Sequence, residues 1–114
     1  YSSSVSGAVN MAGGMVRLSL IDSDDAPVIN FHGVDDDVVP VNCDNVFSGA
    51  TGGLDVVNVC GSIPIHDKAR SVNGSSKLNT YPGGHVPWVD DNGVGNLLFD
   101  EVEQKSFEFL YENL

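Results

Sequence analysis

Apolar residues along this chain fall into short runs, and their spacing alternates between the periods of strands and helices. Ser3 to Ala12 mixes small and β-branched residues with no helical repeat and stops at Gly13-Gly14, which predicts a buried strand. Asp22 to Ala26 is an acidic, turn-rich connection, and Pro27-Val28-Ile29-Asn30-Phe31 is a compact run of strand length. Gly33 to Pro40 reads as a loop, because Pro40 has no N–H to give to a central ladder. From Val41 to Gly61, Gly49, Gly52 and Gly53 break any period. A short helix near Asn42 to Phe47 is expected there, followed by an irregular excursion tied down by Cys43 and Cys60.

Helical spacing returns at Ile63 to Val72, where Ile65 and Ala69 share a face and Gly74 stands just beyond as a stop signal. Ser76 to Tyr81 alternates again and reads as a strand. Leu97 to Leu114 is the longest predicted helix: Leu98, Phe99, Val102, Phe109 and Leu110 make its apolar face, while Glu101, Glu103, Glu108 and Glu112 stay wet. The order strand, strand, helix, strand, helix predicts an α/β protein, with a mostly parallel sheet of about three strands and flanking helices. No repeat or linker divides it, so residues 1–114 are read as a single domain.

Charge narrows the classes of partner. Sixteen acidic residues against five basic ones give a net charge of −11 and a pI near 4.2. Such a field repels phosphate backbones and anionic lipid, so neither nucleic acid nor a membrane surface is an expected partner. A mean hydropathy of −0.02 is ordinary for a soluble domain, and no apolar run has the length of a membrane span. No basic, apolar signal segment opens the chain, and its start at Tyr1 rather than Met leads us to expect that something upstream was removed or never included, a loss that could extend to targeting information. Cys43 and Cys60 are either a disulfide, closing a loop of a length that yields about 3 kcal/mol, or two buried thiols. An even cysteine count and low lysine content suit a secreted or periplasmic protein.

Two segments carry candidate chemistry. Asp36 lies on the loop that leaves the strand ending at Phe31, and His85 follows Gly83-Gly84 after the strand ending at Tyr81. Both positions are at the carboxyl ends of predicted strands, where sites form in open α/β sheets. A serine hydroxyl is inert until an imidazole takes its proton, and the imidazole needs a carboxylate to fix its tautomer. Taken singly, His85 reads first as a loop histidine, and the acidic triplet Asp35 to Asp37 as a solvated turn or an accidental cation site. Trp88 either lines a substrate pocket or caps the core. His32 could contribute to the site, yet its place at a strand end favours a structural hydrogen bond, and His66 is expected to lie on the surface. Nothing near Cys43 would activate it as a nucleophile. Asp35, Asp36, Asp37 and His85 lack the spacing of a zinc site, so no metal and no cofactor is expected.

Jointly, the segments resemble one family. His32-Gly33-x-x-Asp36-x-x-Val39-Pro40 is similar to the acid loop of the α/β-hydrolase superfamily of serine esterases and lipases, and Tyr81-Pro82-Gly83-Gly84-His85 resembles its terminal histidine loop. The Asp-before-His order and the long closing helix fit as well. The resemblance implies the C-terminal half of that fold, spanning nearly the whole chain, and a carboxylic ester hydrolase acting on small esters, with His85 as base and Asp36 orienting it. Asp35 and Asp37 become exposed flanking carboxylates, with Asp35 the fallback acid. One part of the family pattern is missing: Gly-x-Ser-x-Gly does not occur. Gly49-Ala50-Thr51-Gly52-Gly53 has threonine and follows the acid, and Ser2, Ser3, Ser4 and Ser6 lack a strand-turn-helix context. The nucleophile is therefore expected upstream. The alternative is a non-catalytic or partner-dependent half-domain that forms a homo-oligomer through an exposed Ser3 to Ala12 edge strand.

Overall fold

Three strands run parallel in the computed structural model, which describes residues 5–47 and 56–114. In chain order the elements are β1 (Ala8–Met11), a single 3-10 turn at Leu18–Leu20, β2 (Val28–Gly33), β3 (Cys43–Phe47), β4 (Val56–Cys60), α1 (Ser62–Ser71), β5 (Ser76–Tyr81) and α2 (Leu97–Glu112). The sheet order is β1-β2-β5. Ala8 to Met11 pair with Val28 to Phe31, and Val28 to Gly33 pair with Ser76 to Tyr81. The chain is thus a small α/β protein whose three parallel strands all end on one rim.

Side-chain alternation along β2 sorts the two faces. Ile29 and Phe31, at 2% and 0% exposure, enter the main core with Val102 and Phe109 of α2, together with Ala12, Tyr81 and Trp88. A fully buried side chain of this size contributes about 1.5–3 kcal/mol, so this face holds the fold together. The intervening residues Asn30 and His32 point the other way, toward α1, and both are fully buried. A central parallel strand is ordinarily apolar on both faces; β2 is apolar on one and polar on the other. A smaller cluster of Ile21, Ile65 and Ala69 seals the far end of the α1 face, with Met15, Leu18 and Val72 packed around it.

The helix ends follow local chemistry. Asn96 caps α2 by accepting a hydrogen bond from the Leu98 N–H at 2.9 Å. At the end of α1, Asn73 takes the left-handed conformation (φ 63°) and the Gly74 N–H closes on the Ala69 carbonyl at 2.7 Å. Gly74 therefore supplies the closing N–H, and the residue before it makes the turn.

Three expectations are corrected. The short helix expected near Asn42 to Phe47 is strand β3, paired antiparallel with β4 in a hairpin whose register places Cys43 opposite Cys60. Those cysteines are bridged. Cross-strand pairing of Val46 with Val57 explains the difference, since β-branched residues suit a pleated ribbon better than a helix. The first strand is shorter than Ser3 to Ala12, and within the described residues it spans Ala8–Met11. Phe99, expected on the apolar face of α2, is 36% exposed. Among the described residues no helix is long and apolar enough to cross a membrane.

Candidate active site

The two loops leaving β2 and β5 are fastened to one another by backbone. The Val34 N–H donates to the Tyr81 carbonyl at 2.8 Å, and the Asp35 N–H to the Gly83 carbonyl at 2.9 Å. Gly83 sits at φ 118°, a conformation L side chains rarely adopt. These contacts bring the acid loop and the histidine loop together, although Asp36 and His85 are 49 residues apart in sequence.

His85 donates from Nδ1 to Asp36 Oδ2 at 2.8 Å. The Asp36 side chain is 0% exposed while that of His85 is 37% exposed, so a sequestered carboxylate holds a ring that solvent can reach. The other oxygen, Asp36 Oδ1, accepts the N–H groups of Val38 and Val39 at 2.8 and 2.9 Å. Burial by itself would raise the Asp36 pKa. The hydrogen bonds from His85, Val39 and Val38, with the charge of a protonated His85, outweigh it and hold the carboxyl below the usual aspartate value. Asp35 and Asp37 are exposed, as expected of the flanking acids.

A shallow hollow lies beside His85, lined by Gly84, Val86, Pro87, Val89, Asp90 and Asp91. Trp88, a candidate substrate contact, is absent from that lining; at 4% exposure it packs in the core with Phe31 and Val102. Tyr81, which ends β5, is also in the core, and its hydroxyl has no hydrogen-bond partner among the described residues. Burial, and next the carboxylate of Glu101, pushes that phenol well above its usual range.

The expectation that His32 makes a structural hydrogen bond is met, with more partners than its position foretold. Its Nδ1 lies 2.7 Å from Ser62 Oγ, and its Nε2 lies 2.8 Å from the Val39 carbonyl and 3.2 Å from Asp36 Oδ2. His66 is half-buried rather than on the surface, because α1 turns it inward to meet Ser76 Oγ at 2.8 Å. Ser62, Asn10 and Asn30 join the same polar layer and had not been singled out. Asn30 was the available signal, a polar residue in the middle of an apolar strand run.

Among the described residues no hydroxyl hydrogen-bonds to the His85 ring. Ser62 follows a strand and opens a helix, the local context of a nucleophile. It is nonetheless 0% exposed with its hydroxyl against His32. Ser2, Ser3, Ser4 and the Gly49 to Gly53 segment lie outside the described residues. No group of three or more His, Cys, Asp or Glu side chains among the described residues could hold a metal ion. No protein-family model, curated protein or solved structure matches the chain.

Proposed function

We propose that this chain carries the acid and the base of a serine-type carboxylic ester hydrolase, corresponding to the C-terminal half of an α/β-hydrolase. The observation that carries this reading is the buried Asp36 carboxylate held 2.8 Å from Nδ1 of a solvent-accessible His85. With Nδ1–H committed to Asp36, the Nε2 lone pair is free. It takes the proton of an attacking serine Oγ as that oxygen bonds to the ester carbonyl carbon, and returns it to the alkoxide leaving group when the carbon–oxygen bond breaks. A water then gives a proton to the same nitrogen as its oxygen bonds to the acyl carbon, and the nitrogen returns that proton to serine Oγ as the acyl–oxygen bond breaks and the acid leaves. Asp36 stabilises the imidazolium at each step without taking the proton itself. The serine comes from outside the described residues, and the substrate on this reading is a small ester approaching His85 by the shallow hollow beside it.

Hydrolysis of a p-nitrophenyl ester by wild type, His85→Ala and Asp36→Asn tests the dyad. Loss in both variants supports it, and activity that survives both is adventitious. Labelling with a fluorophosphonate followed by peptide mapping names the nucleophile or shows that none is present.

A second reading has its own observation. β1 ends the sheet, and a groove lined by Met11, Phe99, Val102, Phe107 and Leu110 runs beside it. On this reading the chain is a partner-dependent half-domain that self-associates through β1, and the dyad is completed only in an assembly.

A further inference from the structure

The face of the sheet under α1 carries one connected set of hydrogen bonds, and backbone groups at its ends fix the directions. The Gly13 N–H can only donate, so the atom of Asn10 that it meets at 3.0 Å is the carbonyl Oδ1. Asn10 Nδ2 is then a donor, to Asn30 Oδ1 at 2.9 Å and to Ser62 Oγ at 3.4 Å. The Lys77 carbonyl can only accept, so Asn30 meets it with Nδ2 at 3.1 Å, which agrees with the first assignment from the opposite end. Ser62 Oγ accepts from Asn10 and keeps both its hydrogen and a second lone pair, so its 2.7 Å contact with His32 Nδ1 takes its direction from the ring. The Val39 carbonyl can only accept as well, so the hydrogen on His32 must be on Nε2. In the neutral ring Nδ1 is then the acceptor, and the Ser62 hydroxyl donates to it.

We infer that His32, held as the Nε2–H tautomer by the Val39 carbonyl, is a positioning residue that aims Asp36 at His85. The Nε2–H that reaches the Val39 carbonyl at 2.8 Å also faces Asp36 Oδ2 at 3.2 Å, the same oxygen that accepts from His85. The opposite tautomer would set a bare nitrogen lone pair against the Val39 carbonyl and that carboxylate oxygen, both acceptors, in a site that water does not reach. His32 thus pins the acid loop at two points: at Val39, whose own N–H binds Asp36 Oδ1, and at the carboxylate. Ser62 acts one step further back, and α1 delivers it as its first residue. The catalytic value of this device rests on the hydrolase reading above. The tautomer and the aim of Asp36 do not.

Long-range proton–nitrogen NMR on the full chain tests it. In wild type, His32 Nδ1 is expected to resonate as an unprotonated acceptor and Nε2 as a protonated nitrogen, and His85 to show a hydrogen-bonded Nδ1 proton. His32→Gln keeps an amide donor at the reach of Nε2 and is expected to retain that His85 signal, whereas His32→Leu is expected to lose it. Should His32→Leu not fold, His32→Phe, a flat ring without the donor, carries the same test, with the His85 signal lost. A protonated Nδ1 on His32 in wild type, or a His85 signal unchanged in the folded His32→Leu or His32→Phe chain, overturns the inference. Absence of ester turnover and of fluorophosphonate labelling with these signals intact overturns the hydrolase reading instead, and leaves the His32 assignment standing.

Discussion

A β-carbon on Gly33 would overlap the backbone carbonyl oxygen of Gly84, so the acid loop and the histidine loop meet where only a hydrogen fits. The obstacle is main chain and cannot rotate aside. Gly33→Ala is therefore expected to push the loops apart, costing about 1–3 kcal/mol as overpacking does, and to weaken the 2.8 Å contact between Asp36 and His85. Urea unfolding gives the first quantity and the His85 Nδ1 proton signal the second. A Gly33→Ala chain that keeps both at wild-type values would show that the loops can close without this contact.

Acid should act through Asp36 in a defined direction. Its folded pKa lies below the ordinary value despite burial, because His85 and the Val38 and Val39 amides favour the ionised form. The unfolded chain takes up that proton first as pH falls, near 3.9. Ionised Asp36 thus contributes stability that is present above about pH 3.9 and is lost as pH drops through its lower folded value. The stability difference between wild type and Asp36→Asn is expected to shrink below about pH 4. Paired urea melts across that range check it, the other carboxylates being common to both chains. A difference that persists undiminished to the acid end would mean that Asp36 is not depressed in the fold.

The disulfide Cys43–Cys60 closes a loop with a sequence separation of 17 residues. Its reduction, or Cys43→Ser with Cys60→Ser, is expected to lower stability by about 3 kcal/mol. Local loosening should appear first where Cys60 exchanges both backbone hydrogen bonds with Met15, each 2.8 Å. Hydrogen exchange at the amides of Met15 and Cys60 is the measurement, with acceleration expected on reduction while β2 amides remain protected.

Much of this architecture could be read from residue order, and the exceptions share a cause. The strands ending at Phe31 and Tyr81 and the closing helix were legible because their apolar spacing reports one-sided burial, which the core of Ile29, Phe31, Val102 and Phe109 realises. The Asp36–His85 pairing was legible from the resemblance of two loops, each at a strand's carboxyl end. The β3–β4 hairpin was not, because Asp44, Asn45 and Asn58 are exposed and dilute the alternation that marks a strand. Trp88 had two readings of equal standing; only packing decides between them, and it placed the ring in the core. The polar layer of Asn10, Asn30, His32 and Ser62 escaped notice because its members come from three elements and become neighbours only when α1 folds over the sheet.

The sheet's two ends differ in a way that predicts where copies of the chain would meet. β5 carries Lys77 at one end of the sheet, with its ammonium 3.3 Å from Glu112, and an exposed lysine is a common guard against edge pairing. β1, at the other end, consists of Ala8-Val9-Asn10-Met11 and has no charge. Met11 is 46% exposed and borders the groove with Phe99 and Phe107. Wild type is expected to self-associate at high micromolar concentration, more strongly as added salt screens the repulsion between chains of charge −11. Met11→Lys is expected to abolish this, while Lys77→Ala leaves the β1 contact unaffected. The lysine lowers the net charge only from −11 to −10, so electrostatic repulsion alone would predict slightly stronger association of the variant. Loss of association would therefore report the edge and its groove. Light scattering that finds a compact wild-type monomer at those concentrations, in low and high salt alike, removes the self-associating reading.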